Sequence, residues 1–174
     1  MKSFTNNLVR RSRGMTLVEV MVVMVVLAIL VSIVVGVSSY VTDRAKREQT
    51  ILTQSVLKKA IEVFGTIKKD YPSSDGTELK DRCVSLYEQL VDVPKVKAIL
   101  AELPAQAIAE VPNTGGKKGF MDGYDKPMDY KKNGGIGGVP VVISLGPDGK
   151  GSGDEGDNNA DDRADNIRSD GRVN

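Results

Sequence analysis

Arg10 to Val41 reads RRSRG-MTLVEVMVVMVVLAILVSIVVGVSSYV: a basic approach, a glycine at 14, and an apolar run interrupted near its start by Glu19. From Val20 to Val37 every residue is apolar or small, with Ser32 the one side-chain hydroxyl. As a helix this stretch spans about 27 Å, enough for a bilayer core. An uncharged run of this length has no better solvent than hydrocarbon, so a membrane helix is expected over 15–41. An ionised group inside a bilayer costs on the order of 3 kcal/mol, and Glu19 therefore asks for a partner. The next basic residue is Arg44, roughly 37 Å further along a helix and out of reach. The partner is expected from another chain. Cleavage between Gly14 and Met15 would create an amino group at the same depth, which Glu19 of a neighbouring copy could neutralise.

Gly14, Met15, Thr16, Leu17, Val18 and Glu19, followed by the apolar run, resemble the processing site of type IV prepilins and type II secretion pseudopilins. The resemblance implies cleavage after Gly14 by a prepilin peptidase, N-methylation of Met15, and a role for Glu19 in subunit registration during filament assembly. Methionine stands at 15 where most such proteins have phenylalanine. A secretory signal peptide would instead carry an apolar region of about 7 to 15 residues and a small-residue cleavage site beyond it. The run here is longer, and Ser38, Ser39 and Tyr40 form no such site.

A chain of 174 residues has room for one membrane segment and one modest soluble domain. Its formal charge of +1 conceals an asymmetry: the leader, 1–14, carries Lys2, Arg10, Arg11 and Arg13 and no acid, so its removal leaves −3. Those four cations favour a cytoplasmic N-terminus. Lone Cys83 can form no internal disulfide, and a chain without histidine has no Ser/His or Cys/His catalysis and no histidine metal site.

Beyond the apolar run, Val56, Leu57, Ala60, Ile61 and Phe64 fall on one helical stripe while Arg47, Glu48, Lys58, Lys59 and Glu62 are solvated. No turn signal separates 42–70 from the membrane half, so one helix is expected from about Met15 to about Asp70, with Gly65 as a mild breaker. AIEVFGTIKKDYPSS also resembles the pseudopilin pattern in which this helix ends before a Tyr-Pro, here Tyr71 and Pro72. The turn cluster Pro72 to Gly76 precedes a second helix, for which Asp75 and Glu78 are a candidate capping pair. Leu79, Cys83, Leu86, Tyr87, Leu90 and Val91 recur at helical spacing, which makes Cys83 a small core residue. After Pro94, residues Val96, Ile99, Leu100 and Leu103 suggest a shorter helix. A hairpin is expected from strands at Pro127 to Lys132 and Val139 to Leu145, with Pro140 at a strand start or edge.

DGYDKPMDY, Asp122 to Tyr130, resembles a signature of the major type II secretion pseudopilin, with Tyr124 and Asp125 departing from it and Pro127 and Tyr130 keeping their spacing. Ser144 to Asn174 then holds eight acids against four cations, net −4. Hard oxygen donors on a glycine-rich loop suit Ca²⁺, which accepts about 6 to 8 oxygens at irregular angles. An EF-hand register from Asp157 fails, because Asp162 takes the glycine position and Arg168 that of the bidentate glutamate. SLGPDG, Ser144 to Gly149, and ADNI, Ala164 to Ile167, resemble the two ends of the pseudopilin C-terminal loop, with Asp170 where tryptophan is usual. The resemblance implies one Ca²⁺ held by Asp148, Asp165, Asp162 and the Leu145 carbonyl. The same composition also suits an acidic tail kept soluble by its charge.

These readings combine into an α+β, pilin-like lollipop: a leader (1–14), the transmembrane half (15–41) and amphipathic half (42–70) of one long helix, and a head (71–174) with a C-terminal antiparallel sheet and calcium loop. Head-to-tail contacts that do not close build a helical filament. The expected role is a pseudopilus subunit of type II secretion, single-pass in the bacterial inner membrane, with its N-terminus cytoplasmic and its head periplasmic. The partners so implied are further copies of itself, minor pseudopilins, the prepilin peptidase, the inner-membrane assembly platform and secreted cargo, and no nucleic acid. A surface type IV pilin is the neighbouring reading, although such pilins usually pin the C-terminal loop with a disulfide. A membrane-anchored hydrolase using paired carboxylates is the alternative from another class.

Overall fold

The computed structural model describes residues 15–150 and 166–170, the side chains of residues 34–39 excepted. It is α+β, with a long N-terminal helix, α1 (Leu17–Lys68), and small antiparallel sheets. The chain divides into two compact units at Val41/Thr42.

Local chemistry sets both ends of α1. Thr16 Oγ1 accepts the Glu19 N–H at 3.2 Å, which satisfies one of the four donors that every helix leaves open at its start. At the other end Lys69 adopts a left-handed φ of 63°, which ends the helix. Gly65 does not break it. The Tyr71 ring lies on Gly65, where a Cβ would come within 2.9 Å of the ring carbons, so the glycine is a seat for the tyrosine.

In the first unit every described side chain from Met15 to Ile33 is exposed. Ser32 returns its hydroxyl to the Ala28 carbonyl at 2.8 Å, so the one polar group of the run is satisfied inside its own helix.

In the second unit the α1 stripe finds its cover. Leu57, Ala60, Ile61 and Phe64 join Leu86 and Leu90 of α2 (Leu79–Val91), Val96 and Leu100 of α3 (Pro94–Leu100), and Phe120, Met128, Tyr130 and Val142 in one core. Val56 is only partly buried. Tyr87 meets Phe120 edge-to-face, with ring centroids 5.5 Å apart, a favoured aromatic geometry. Cys83 is a core residue as expected, its thiol donating to the Phe120 carbonyl at 3.4 Å. The expected Asp75/Glu78 capping pair does not form: Glu78 itself is the N-cap of α2 and makes no side-chain capping bond. Its carboxylate pairs with Lys80 instead.

A 3₁₀ turn (Ala105–Ala107) leads to a hairpin absent from the sequence reading, β1 (Ile108–Glu110) against β2 (Lys118–Phe120). The expected hairpin is present but shorter, β3 (Asp129–Lys131) against β4 (Val141–Ser144), with Pro140 just before the strand. β5 (Ile167–Arg168) closes the three-stranded sheet in the order β3-β4-β5. Arg82 of α2 clasps the fully buried Asp129 of β3 through two bonds of 2.7 and 2.9 Å, the bidentate geometry that suits guanidinium and carboxylate.

Candidate functional site

Two regions carry the expected functional residues. In the first, Met15 and Leu17 are 67% and 76% exposed and lead the apolar surface that runs to Ile33. An apolar surface this continuous is a contact surface for lipid or for other helices. Glu19 lies in the first turn of α1, where the open N–H groups and the helix dipole favour a negative charge. Thr16 and Glu19 stand at the spacing of a capping box, a local role that the sequence reading did not assign. Among the described residues Glu19 takes part in no salt bridge. Gly14 lies outside the described residues. Among those described no helix is long and apolar enough to cross a membrane; the expected span includes 34–39, whose side chains are outside the description.

The second region is the approach to the acidic loop, and Asp122 is its hub. The carboxylate is 2% exposed and accepts three hydrogen bonds: Oδ1 from the N–H groups of Tyr124 at 2.8 Å and Lys126 at 2.9 Å, and Oδ2 from the Ser144 hydroxyl at 2.6 Å. It thus folds the Asp122–Lys126 turn and ties it to the end of β4. The turn also seats on α1. Gly123 donates its N–H to Thr50 Oγ1 at 2.9 Å, and a Cβ on Gly123 would lie inside contact distance of the Lys46 carbonyl. Lys46 Nζ stands 5.8 Å from the centroid of the Tyr124 ring, within cation–π range. Lys126 crosses to the Ser144–Gly149 turn, its Nζ donating to the Pro147 carbonyl at 2.6 Å.

Gln54 holds the other side of the loop approach. Its Nε2 donates to the Ile167 carbonyl at 2.7 Å and the Val142 carbonyl at 3.3 Å, so a buried α1 amide clamps β4 and β5 together. Thr50, Thr53 and Gln54 continue the buried α1 stripe with polar side chains. Periodicity of apolar residues alone could not have found them.

Of the four expected metal ligands, Leu145 and Asp148 are described, and Asp162 and Asp165 lie outside the described residues. Asp148 Oδ1 accepts the Lys150 N–H at 2.9 Å, which shapes the turn. Among the described residues no group of three or more acidic or thiol side chains converges. Asn166 is 7% exposed, and both atoms of its amide are buried without a hydrogen-bond partner.

The remaining titratable groups have structural settings. Burial pushes the Cys83 thiol up to about 12, which leaves no thiolate at neutral pH. Burial also raises the Tyr130 hydroxyl, which donates to the Pro72 carbonyl at 2.9 Å. The Lys132 ammonium, 2.6 Å from Asp70, holds that exposed carboxyl below its ordinary range. A cleft of about 220 Å³ between α1 and the β3–β4 hairpin is lined by Lys58, Ile61, Glu62, Tyr71 and Pro140.

Residues 9–35 match the family model described as the prokaryotic N-terminal methylation motif. No curated protein and no solved structure matches the chain. The motif is that of prokaryotic pilin-like proteins, structural subunits processed by a prepilin peptidase and assembled into pilus-like polymers.

Proposed function

From a chain that carries the pilin-like methylation motif over residues 9–35, we infer a filament subunit of the type II secretion pseudopilus. It is cleaved after Gly14, methylated on the new amino group of Met15, and held before assembly by 15–41 as a single inner-membrane anchor, with the head periplasmic. One observation carries the reading: the matched motif lies on a helix start whose apolar surface is exposed and whose one acid, Glu19, is followed by no basic residue before Arg44. The Met15 amino group of a neighbouring copy supplies that cation, and the apolar surfaces pack together in the filament core.

The secretion pseudopilus is favoured over a surface pilus by the Asp122 and Ser144 segments. They resemble the major pseudopilin signatures in sequence, with Tyr124 and Asp125 departing from the first, and the Asp122 and Ser144 side chains are bonded to each other at 2.6 Å. A single buried cysteine also removes the disulfide with which surface pilins usually pin the C-terminal loop. The acidic loop holds one structural Ca²⁺ through Asp148, Asp162, Asp165 and the Leu145 carbonyl. Bound there, the cation would neutralise the acids that those residues bring to it. Minor pseudopilins, the assembly platform and exported cargo are the remaining partners.

Mass spectrometry of the protein recovered from membranes tests the first step. The expected N-terminus is N-methyl-Met15; a mature chain still beginning at Met1 refutes the reading.

A further inference from the structure

Asn133-Gly134, in the connection between β3 and β4, is the one place in the sequence where asparagine precedes glycine. Asn133 is exposed, and with Ser73, Ser74, Lys131 and Lys132 it lines an open hollow of about 580 Å³, so water reaches its amide. Among the described residues neither the Asn133 amide nor the Gly134 N–H has a hydrogen-bond partner. A side-chain amide carbon and the next main-chain nitrogen therefore stand in one exposed turn with nothing bonded to either, and glycine sets no side chain beside that nitrogen. The other described asparagines differ. Asn113 precedes Thr114 and Asn166 precedes Ile167, whose branched Cβ atoms crowd the nitrogen, and Asn166 is buried besides. Nor is position 134 free to lose its glycine: a Cβ there would come within 2.7 Å of the Lys131 Cβ and 2.9 Å of a Val141 methyl.

We propose that Asn133-Gly134 is a site of spontaneous covalent modification, at which the exposed amide is converted through a succinimide to aspartate and isoaspartate. The Gly134 nitrogen gives its proton to solvent base and attacks Asn133 Cγ. The N–Cγ bond forms, the Cγ–Nδ2 bond breaks, and Nδ2 leaves as ammonia with a proton from water. Water then opens the ring: breaking the N–Cγ bond gives aspartate, and breaking the bond from the nitrogen to the Asn133 main-chain carbon gives isoaspartate. Nothing is oxidised or reduced, and the net change is amide plus water to carboxylic acid plus ammonia. The chemistry is independent of which filament the chain builds.

Its structural consequence falls on Arg168. The Gly134 carbonyl accepts Arg168 Nη2 at 2.8 Å, and that guanidinium is buried against Asp170, so this bond ties the β5 turn to the β3–β4 connection. Isoaspartate routes the main chain through Cβ and Cγ and makes it one atom longer just before Gly134. The tightly seated glycine is displaced and the Arg168 bond is lost.

The test is incubation of the full processed chain in detergent, in mildly alkaline buffer, followed by peptide mapping with mass spectrometry and by melting. The peptide holding Asn133 is expected to gain the mass of an amide-to-acid change and to split into two isomers, with isoaspartate the larger, while Asn113 and Asn166 keep their amides. The mass gain separates this from isomerisation at the chain's Asp-Gly pairs, which changes no mass. The aged wild type is expected to melt about 5 °C lower, the loss of one bond to a charged group. Asn133→Gln keeps an exposed amide, cannot close the same ring, and is expected to keep both its mass and its melting temperature over the same incubation. Asn133 surviving as long as Asn113, or yielding aspartate without isoaspartate, overturns the proposed site. Equal melting losses in wild type and Asn133→Gln overturn the consequence drawn for Arg168.

Discussion

Asp122→Ala is the perturbation whose cost follows most directly from the structure. It removes the acceptor of three donors, the Tyr124 and Lys126 N–H groups and the Ser144 hydroxyl. Ser144 is fully buried, so its hydroxyl loses a charge-assisted bond of about 1.5–3 kcal/mol with no water to replace it. Tyr124 and Lys126 are only half-buried, and their N–H groups regain water, which limits each loss to about 1 kcal/mol. The sum is about 4 kcal/mol, or roughly 12 °C in melting temperature for a unit of this size. Asp122→Asn is the control. It keeps one oxygen for both turn N–H groups, and the Ser144 hydroxyl can rotate to accept from the new amide, so the loss is about 1.5 kcal/mol, roughly 5 °C. Melting of the processed chain in detergent, followed by circular dichroism, reads both. Asp122→Ala melting within about 3 °C of wild type, or Asp122→Asn falling as far as Asp122→Ala, refutes the hub.

Three further outcomes are expected. Arg82→Met strands the fully buried Asp129 carboxylate and is expected to cost about 3–5 kcal/mol in melting or urea unfolding; adding Asp129→Asn recovers more than half of the loss. Alkylation with iodoacetamide at pH 8 labels Cys83 only after unfolding. Because the folded thiol titrates near 12 against an ordinary value of 9.0, its contribution to stability is intact below pH 9.0 and declines as pH rises above it, where the unfolded thiol ionises first; rapid labelling of the folded chain contradicts the buried setting. Glu19→Ala leaves the melting of the second unit unchanged and abolishes filaments in electron micrographs; filaments of normal abundance would show that Glu19 registers nothing.

The parts of this fold written in local periodicity were legible. The stripe at Leu57, Ala60, Ile61 and Phe64 marked α1 as a buried helix. The spacing from Leu79 to Val91 marked α2, and Val96, Ile99 and Leu100 marked α3, which the structure begins at Pro94 itself and ends at Leu100, short of the expected Leu103. The parts made by distant hydrogen bonds were not. Nothing local marks Gln54 as buried until Ile167, 113 residues on, offers its carbonyl. Thr50 is an unremarkable helix threonine until Gly123 arrives 73 residues later. Strands of two or three residues, such as β1, β2 and β5, are too short to show an alternation. Asp122 was noticed as part of a signature and not as the centre of a bonding network, because nothing local says that Ser144 lies against it. The cap at Asp75 and Glu78 failed for a similar reason: Arg82, held on Asp129, bonds the carbonyls of Gly76 and Thr77, so the turn is shaped by tertiary contacts.

The clamp of Gln54 across β4 and β5 bears on how this protein can vary. The two strand ends that flank residues 151–165 are fixed to the body of the second unit by Gln54, by Ser144 on Asp122, and by the Ser169 hydroxyl accepting the Val142 N–H. These bonds do not depend on the length of the span between the two ends, and each doubling of that length adds about 0.6 kcal/mol of loop-closure entropy. Outside the proposed ligands Asp162 and Asp165, the acidic insert is therefore a place where residues can be added or removed while the bonds of Gln54, Ser144 and Ser169 stay as they are. Filament geometry and loop chemistry can then diverge independently, one selected at the helix and the other at a tether between two fixed points.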